Sequence, residues 1–150
     1  SGIRQIVHDL RPPLLDEVGI ISAMREFITT LTRTGKTRIT LNHMGELSTL
    51  PAAVEVALYR VTLEAVTNVV KHARATYCEI TLSHENNRWL TLSVEDNGNG
   101  FDDITNGGLG LISMRERAEE IGGRFFVEDS SLGGVKIRAE FPLQIVEVMP

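Results

Sequence analysis

The chain has 150 residues, 42% hydrophobic and 23% charged, with a formal net charge of −5. That is enough apolar material for a single core, with no run long enough to span a membrane and no concentrated Lys/Arg footprint for nucleic acid. Cys78 is the only cysteine, which excludes an internal disulfide; with no signal-peptide pattern at the start, the sequence reads as reduced and cytoplasmic. Ile3, Ile6, Val7 and Leu10 recur at helical spacing until Arg11-Pro12-Pro13 stops them. Residues 1–15 therefore read as the tail of a helix that begins outside the chain plus a proline linker, and residues 16–150 as the domain proper. Ile20, Met24, Phe27, Ile28 and Leu31 predict an amphipathic helix closed by Gly35, and Arg38–Asn42 alternates as a short strand. Val54, Leu58, Val61, Ala65 and Val69 share one face of a long helix that can begin at Pro51 and carries Leu58–Ala75. Tyr77–Ser83 and Trp89–Glu95 alternate and should form a hairpin turning at Asn86-Asn87, with Cys78, Ile80 and Leu82 on one side. Asp96–Gly110 has no apolar period and is long enough to suggest a functional loop. Leu111, Met114, Ala118 and Ile121 restore the helical step until Gly122-Gly123, and Phe125–Asp129 and Val135–Phe141 end the chain as strands. Hairpin strands with helices enough for one face predict a two-layer α/β (α+β) sandwich: a mixed, largely antiparallel sheet covered on one side by helices.

Two stretches carry chemistry. At about 100° per residue, Glu64, Asn68 and Lys71 fall within an arc of roughly 60° beside the apolar stripe of the long helix. A carboxylate, an amide and an ammonium side by side could hold a hard cation and phosphate, although a solvated charged flank has the same composition. The second stretch is Asp96-Asn97-Gly98-Asn99-Gly100 at a strand end, followed by Gly107-Gly108-Leu109-Gly110 at a helix start. A strand-end carboxylate can accept from an exocyclic amine, glycines let backbone approach a flat ring, and a helix N-terminus favours phosphate. Taken alone, the first pentapeptide is equally a turn. Two phosphate-loop lookalikes fail: Gly35-Lys36-Thr37 would need a glycine at Thr30, and Gly98-x-Gly100 would need one at Asp103. His43 and His84 have no ligand set around them.

Taken together, Glu64-x-x-x-Asn68-x-x-Lys71-His72-Ala73, Asp96-x-Gly98-x-Gly100 and Gly108-x-Gly110-Leu111 with Met114-Arg115-Glu116-Arg117 resemble, in order and spacing, the N, G1 and G2 boxes of the GHKL ATPases. Within them the chain is similar to the ATP-binding domains of bacterial sensor histidine kinases that pair with LuxR-type response regulators. The stretch His8–Asp16 resembles that subfamily's junction with its dimerisation helices. The resemblance implies the Bergerat fold, ATP and Mg2+ as ligands, and γ-phosphate transfer to a histidine in an upstream dimerisation domain of a homodimer. A response regulator would receive the phosphate, with no nucleic acid or membrane contact by this fragment. It assigns Mg2+ to Asn68, activation of the accepting histidine to Glu64, phosphate contacts to Lys71 and His72, and the adenine amine to Asp96. Gly98, Gly100, Gly108, Gly110 and Leu111 would shape the adenine pocket and its lid. Where the family has a Gly-Thr pair before its last strand, this chain has Gly134-Val135, without the hydroxyl. His8, next to the proline junction, is expected to be structural or exposed. An anti-sigma-type serine kinase shares the boxes but not the His8–Asp16 junction, and a non-catalytic nucleotide-binding module is the third reading.

Overall fold

The computed structural model describes residues 11–33, 35–45, 47, 50–85, 87–99 and 110–143. Its elements run α1 (Pro13–Val18), α2 (Ile20–Thr32), β1 (Arg38–His43), α3 (Ala52–His72), β2 (Tyr77–Glu85), β3 (Trp89–Asp96), α4 (Leu111–Glu120), β4 (Arg124–Asp129) and β5 (Val135–Pro142). The short α1 was not foreseen. Pro13 opens it at the first-turn position where a missing N–H costs nothing, and Gly19, at φ 81°, ends it by donating to the Leu15 carbonyl.

The five strands form one sheet in the order β1-β2-β3-β5-β4. β1 pairs with β2 in parallel, which a hairpin cannot do, so the chain crosses between them through α3. The β2–β3, β3–β5 and β4–β5 pairs are antiparallel, so the sheet is mixed and largely antiparallel, as the order of elements implied. Alternation puts Cys78, Ile80 and Leu82 of β2, Leu90, Leu92 and Val94 of β3, and Ile137, Ala139 and Phe141 of β5 in the core, none more than 2% exposed. The stripe Val54, Leu58, Val61, Ala65 and Val69 of α3 is equally buried, which makes α3 the central helix of the opposing layer. Met24 of α2 and Met114 and Ala118 of α4 fill the space on either side.

The other face of the sheet is polar. There Arg138 bridges Glu128 (3.1 Å) and Glu140 (2.9 Å) and lies over the Phe126 ring, while Arg124 covers Trp89. At the head of the domain Arg11 pairs with Asp16 at 2.6 Å and with Glu55 in the first turn of α3. This ties the proline junction to the central helix. No described helix is long and apolar enough to cross a membrane.

Candidate nucleotide site

Even-numbered residues of β3 face the helices, so the strand delivers its last residue, Asp96, to the inside, where it is 1% exposed. Its Oδ1 accepts from the Gly98 N–H at 2.8 Å and from the Val135 N–H at 3.5 Å. The Gly134 N–H donates to the Asp96 backbone carbonyl at 3.0 Å. The fit leaves no room for a side chain at Gly134, where a Cβ would collide with Asp96 Oδ1 and lie 2.8 Å from the Gly98 nitrogen. Burial pushes the Asp96 carboxyl above its ordinary value, and the Gly98 and Val135 N–H groups draw it partly back. Cys78 is the register partner of Asp96. Burial first, and the neighbouring Asp96 next, push its thiol up to about 12, so it stays protonated and serves packing.

The turn after Asp96 is fastened to the end of α3. Asn97 Oδ1 accepts from the Thr76 and Tyr77 N–H groups, both at 3.0 Å, and its Nδ2 donates to Thr76 Oγ1 at 2.9 Å. The Asn99 N–H donates to the Ala73 carbonyl at 2.8 Å. Gly98 lies so close to that carbonyl that a Cβ there would strike it. Ala73, directly after His72, is thus the point where the Asp96 turn and α3 meet.

Along α3 the structure places Glu64 half-buried, Asn68 buried at 4%, and Lys71 and His72 exposed at the last turn. Glu64 meets the second glycine stretch. Gly110 precedes α4 with φ +71°, and a Cβ on it would collide with Glu64 Oε1. The carboxylate therefore sits against the N-terminus of α4, where the helix dipole and unpaired N–H groups favour negative charge. Leu111 follows as the first helical residue. Residues brought together are thus Asp96 with Gly98, Gly98 with the end of α3, and Glu64 with Gly110. Gly100 and Gly108, like His8, lie outside the described residues.

Sequence reasoning passed over two residues that shape the candidate site. Gly134 was noted only as half of an altered pair, although it packs on Asp96 itself. Asn97 was read as one turn residue among five. The pairing of Glu95 with Lys136 brings the 134–135 segment beside Asp96 from about forty positions away, and no local pattern encodes that.

A buried strand-end carboxylate held by backbone, next to a helix flank of carboxylate, amide and cation, defines a two-layer nucleotide-binding sandwich. Residues 53–145 match the sequence profile of the histidine kinase-, DNA gyrase B- and HSP90-like ATPases, and the chain belongs to that family of ATP-binding domains. It is 29% identical over 149 residues to the signal transduction histidine-protein kinase/phosphatase DegS of Brevibacillus brevis, covering 98% of this chain and 38% of that protein. It is 36% identical over 136 residues to the sensor histidine kinase MctS of Rhizobium johnstonii, covering 87% and 29%. The chain thus spans well under half of either relative. The fold is that of histidine kinase catalytic domains. The ATP-binding domain of PrrB from Mycobacterium tuberculosis superposes with a TM-score of 0.59 at 22% identity, over 83% of this chain and 94% of that one.

Proposed function

We propose that the chain is the ATP-binding, catalytic part of a sensor histidine kinase, passing the ATP γ-phosphate to a histidine on an upstream dimerisation domain for relay to a response regulator. The observation that carries this reading is the continuity of the site: the Asp96 turn is bonded to Ala73, immediately after the helix that presents Glu64, Asn68, Lys71 and His72. A nucleotide with adenine at Asp96 would lay its phosphates along that helix. Asp96 accepts the adenine amine, its Oδ1 already oriented by two N–H groups. Lys71 and His72 contact phosphate, and Gly110 and Leu111 bring the N-terminus of α4 to it.

Among the described residues no three His, Cys, Asp or Glu side chains cluster to hold a metal. That suits Mg2+, which commonly takes one or two protein oxygens and leaves the rest to phosphate and water. Asn68 supplies that oxygen, and bound Mg2+ would neutralise charge on the transferring phosphate. Phosphoryl transfer is mostly positioning. An imidazole nitrogen of the acceptor attacks the γ-phosphorus, the bond to the β,γ-bridging oxygen breaks, ADP leaves, and Glu64 takes the imidazole proton. The kinase reading is further supported by the Bacillus subtilis signal transduction histidine-protein kinase/phosphatase DegS, 36% identical over 145 residues.

Incubation with γ-labelled ATP, Mg2+ and a separately purified dimerisation domain should yield an acid-labile, alkali-stable phosphate on that domain. Acid-stable phosphoserine would make the chain a serine kinase. ATP binding without transfer would make it a binding module.

A further inference from the structure

Glu64 stands between two seats for its charge. One is the N-terminus of α4, where a side chain on Gly110 would strike its Oε1 and where no side-chain hydrogen bond caps the helix. The other is a cleft of about 280 Å3 between α2, α3 and α4, which both Arg60 and Glu64 line. Arg60 precedes Glu64 by one turn of α3, so the two side chains can meet through rotamer changes alone, with the backbone in place. Arg60 Nε is buried and has no hydrogen-bond partner among the described residues. A buried guanidinium donor without an acceptor is costly, and its planar fork matches a carboxylate best. Arg117 lines the same cleft but has an interaction of its own. The open donor therefore falls to Glu64, and the two charges balance without an acid from outside.

A nucleotide gives the carboxylate a reason to move. The dipole and unpaired N–H groups of a helix N-terminus favour an anion, so a phosphate brought to α4 contends with Glu64 for the same positive end. Two anions crowded there repel, the more so as water is excluded. One turn back along α3, Arg60 offers the displaced carboxylate a partner.

Resting on the nucleotide-binding reading above, we propose that phosphate arriving at α4 displaces Glu64 onto Arg60. Arg60 is a positioning residue: it receives the carboxylate and holds it at the cleft, so that nucleotide binding itself sets the group that takes the acceptor's proton.

The test is a double-mutant cycle read by calorimetric titration of ATP and of adenosine into the parent chain, Arg60→Met, Glu64→Gln and the double variant. Without its second seat the carboxylate resists displacement, so Arg60→Met should weaken ATP about tenfold, a coupling typical of neighbouring charges. In the Glu64→Gln background nothing charged has to move, and the same substitution should change ATP affinity by less than about twofold. Adenosine, which brings no phosphate to α4, should bind all four chains alike. Arg60→Lys should keep part of the ATP affinity, because it retains the charge but not the fork. Arg60→Gln repeats the cycle if Arg60→Met does not fold. An equal loss of ATP affinity in both backgrounds would mean that Arg60 meets phosphate directly and would overturn the proposal. So would an unchanged ATP affinity for Arg60→Met, or a parallel loss of adenosine binding. Either failure with ATP still bound by the parent leaves the nucleotide reading standing, whereas a parent chain that binds neither ligand overturns that reading and this inference with it.

Discussion

The two ends of the site are built differently. At the Asp96 end the contacts are backbone on carboxylate: Gly98 and Val135 donate to Oδ1, Gly134 donates to the carbonyl, and the absent side chains of Gly98 and Gly134 allow the close approach. At the α3 end single side chains of graded exposure do the work, from buried Asn68 through half-buried Glu64 to exposed Lys71 and His72. Backbone contacts give a rigid frame that tolerates almost no substitution. Exposed side chains on a helix flank, here Lys71 and His72, can be exchanged one at a time with little effect on the fold. On the proposed function, selectivity for the base would sit on the rigid end, and phosphate handling and transfer on the adjustable one.

The sharpest break should come from the rigid end. Gly134→Ala forces a Cβ into Asp96 Oδ1, and overpacking of this kind costs about 3 kcal/mol. A lowered urea midpoint with loss of ATP binding is expected, whereas Lys71→Ala at the other end should leave the midpoint unchanged. Equal midpoints for Gly134→Ala and the parent would mean that the frame yields.

Asp96→Asn should separate function from stability. One charge-assisted hydrogen bond to the base is worth about 1.5–3 kcal/mol, roughly ten- to a hundredfold in ATP affinity. Burial raises this carboxyl above its ordinary 3.8, so the folded chain holds the proton more tightly than the unfolded chain. The resulting cost to stability is complete above the raised value and disappears below 3.8. Without nucleotide, Asp96→Asn should therefore match or exceed the parent's stability at pH 7 and lose that advantage as pH falls through the carboxylate range. Paired denaturation curves at pH 7 and near pH 4 (about the ordinary carboxylate value) check the sign, and an advantage that grows on acidification would contradict it.

Asn97→Ala removes the hydrogen bonds to Thr76 and Tyr77 from an exposed position and should cost about 1–2 kcal/mol. Faster hydrogen exchange at the Thr76 and Tyr77 amides would localise the effect. Arg11→Ala should have the smallest effect, within about 1 kcal/mol, and smaller still in high salt, because its pairs with Asp16 and Glu55 are partly exposed. Thermal melts at low and high ionic strength would detect it.

Much of the adjustable end was legible in the sequence. Val54, Leu58, Val61, Ala65 and Val69 fix the buried face of α3, and that face determines which flank carries Glu64, Asn68 and Lys71. The strands were equally legible, because Cys78, Ile80 and Leu82 alternate cleanly. Less of the rigid end could be read. Asp96 and Gly98 stand in a recognisable pentapeptide, but the groups that hold them, Gly134, Val135 and Ala73, arrive through strand pairing and helix packing that no local pattern records. The helix Pro13–Val18 was missed for a simpler reason: two prolines read as a stop also serve as a start.

The division between the two ends is tested most directly by calorimetric titration of ATP and GTP, each with and without Mg2+, into the parent chain, Asp96→Ala and Asn68→Ala. Asp96→Ala should abolish the preference for ATP over GTP with or without Mg2+, while Asn68→Ala should keep the preference and lose the Mg2+-dependent part of the affinity. If either substitution changes both properties alike, or Asn68→Ala binds ATP as the parent does in both conditions, the two ends are not the separate devices described here.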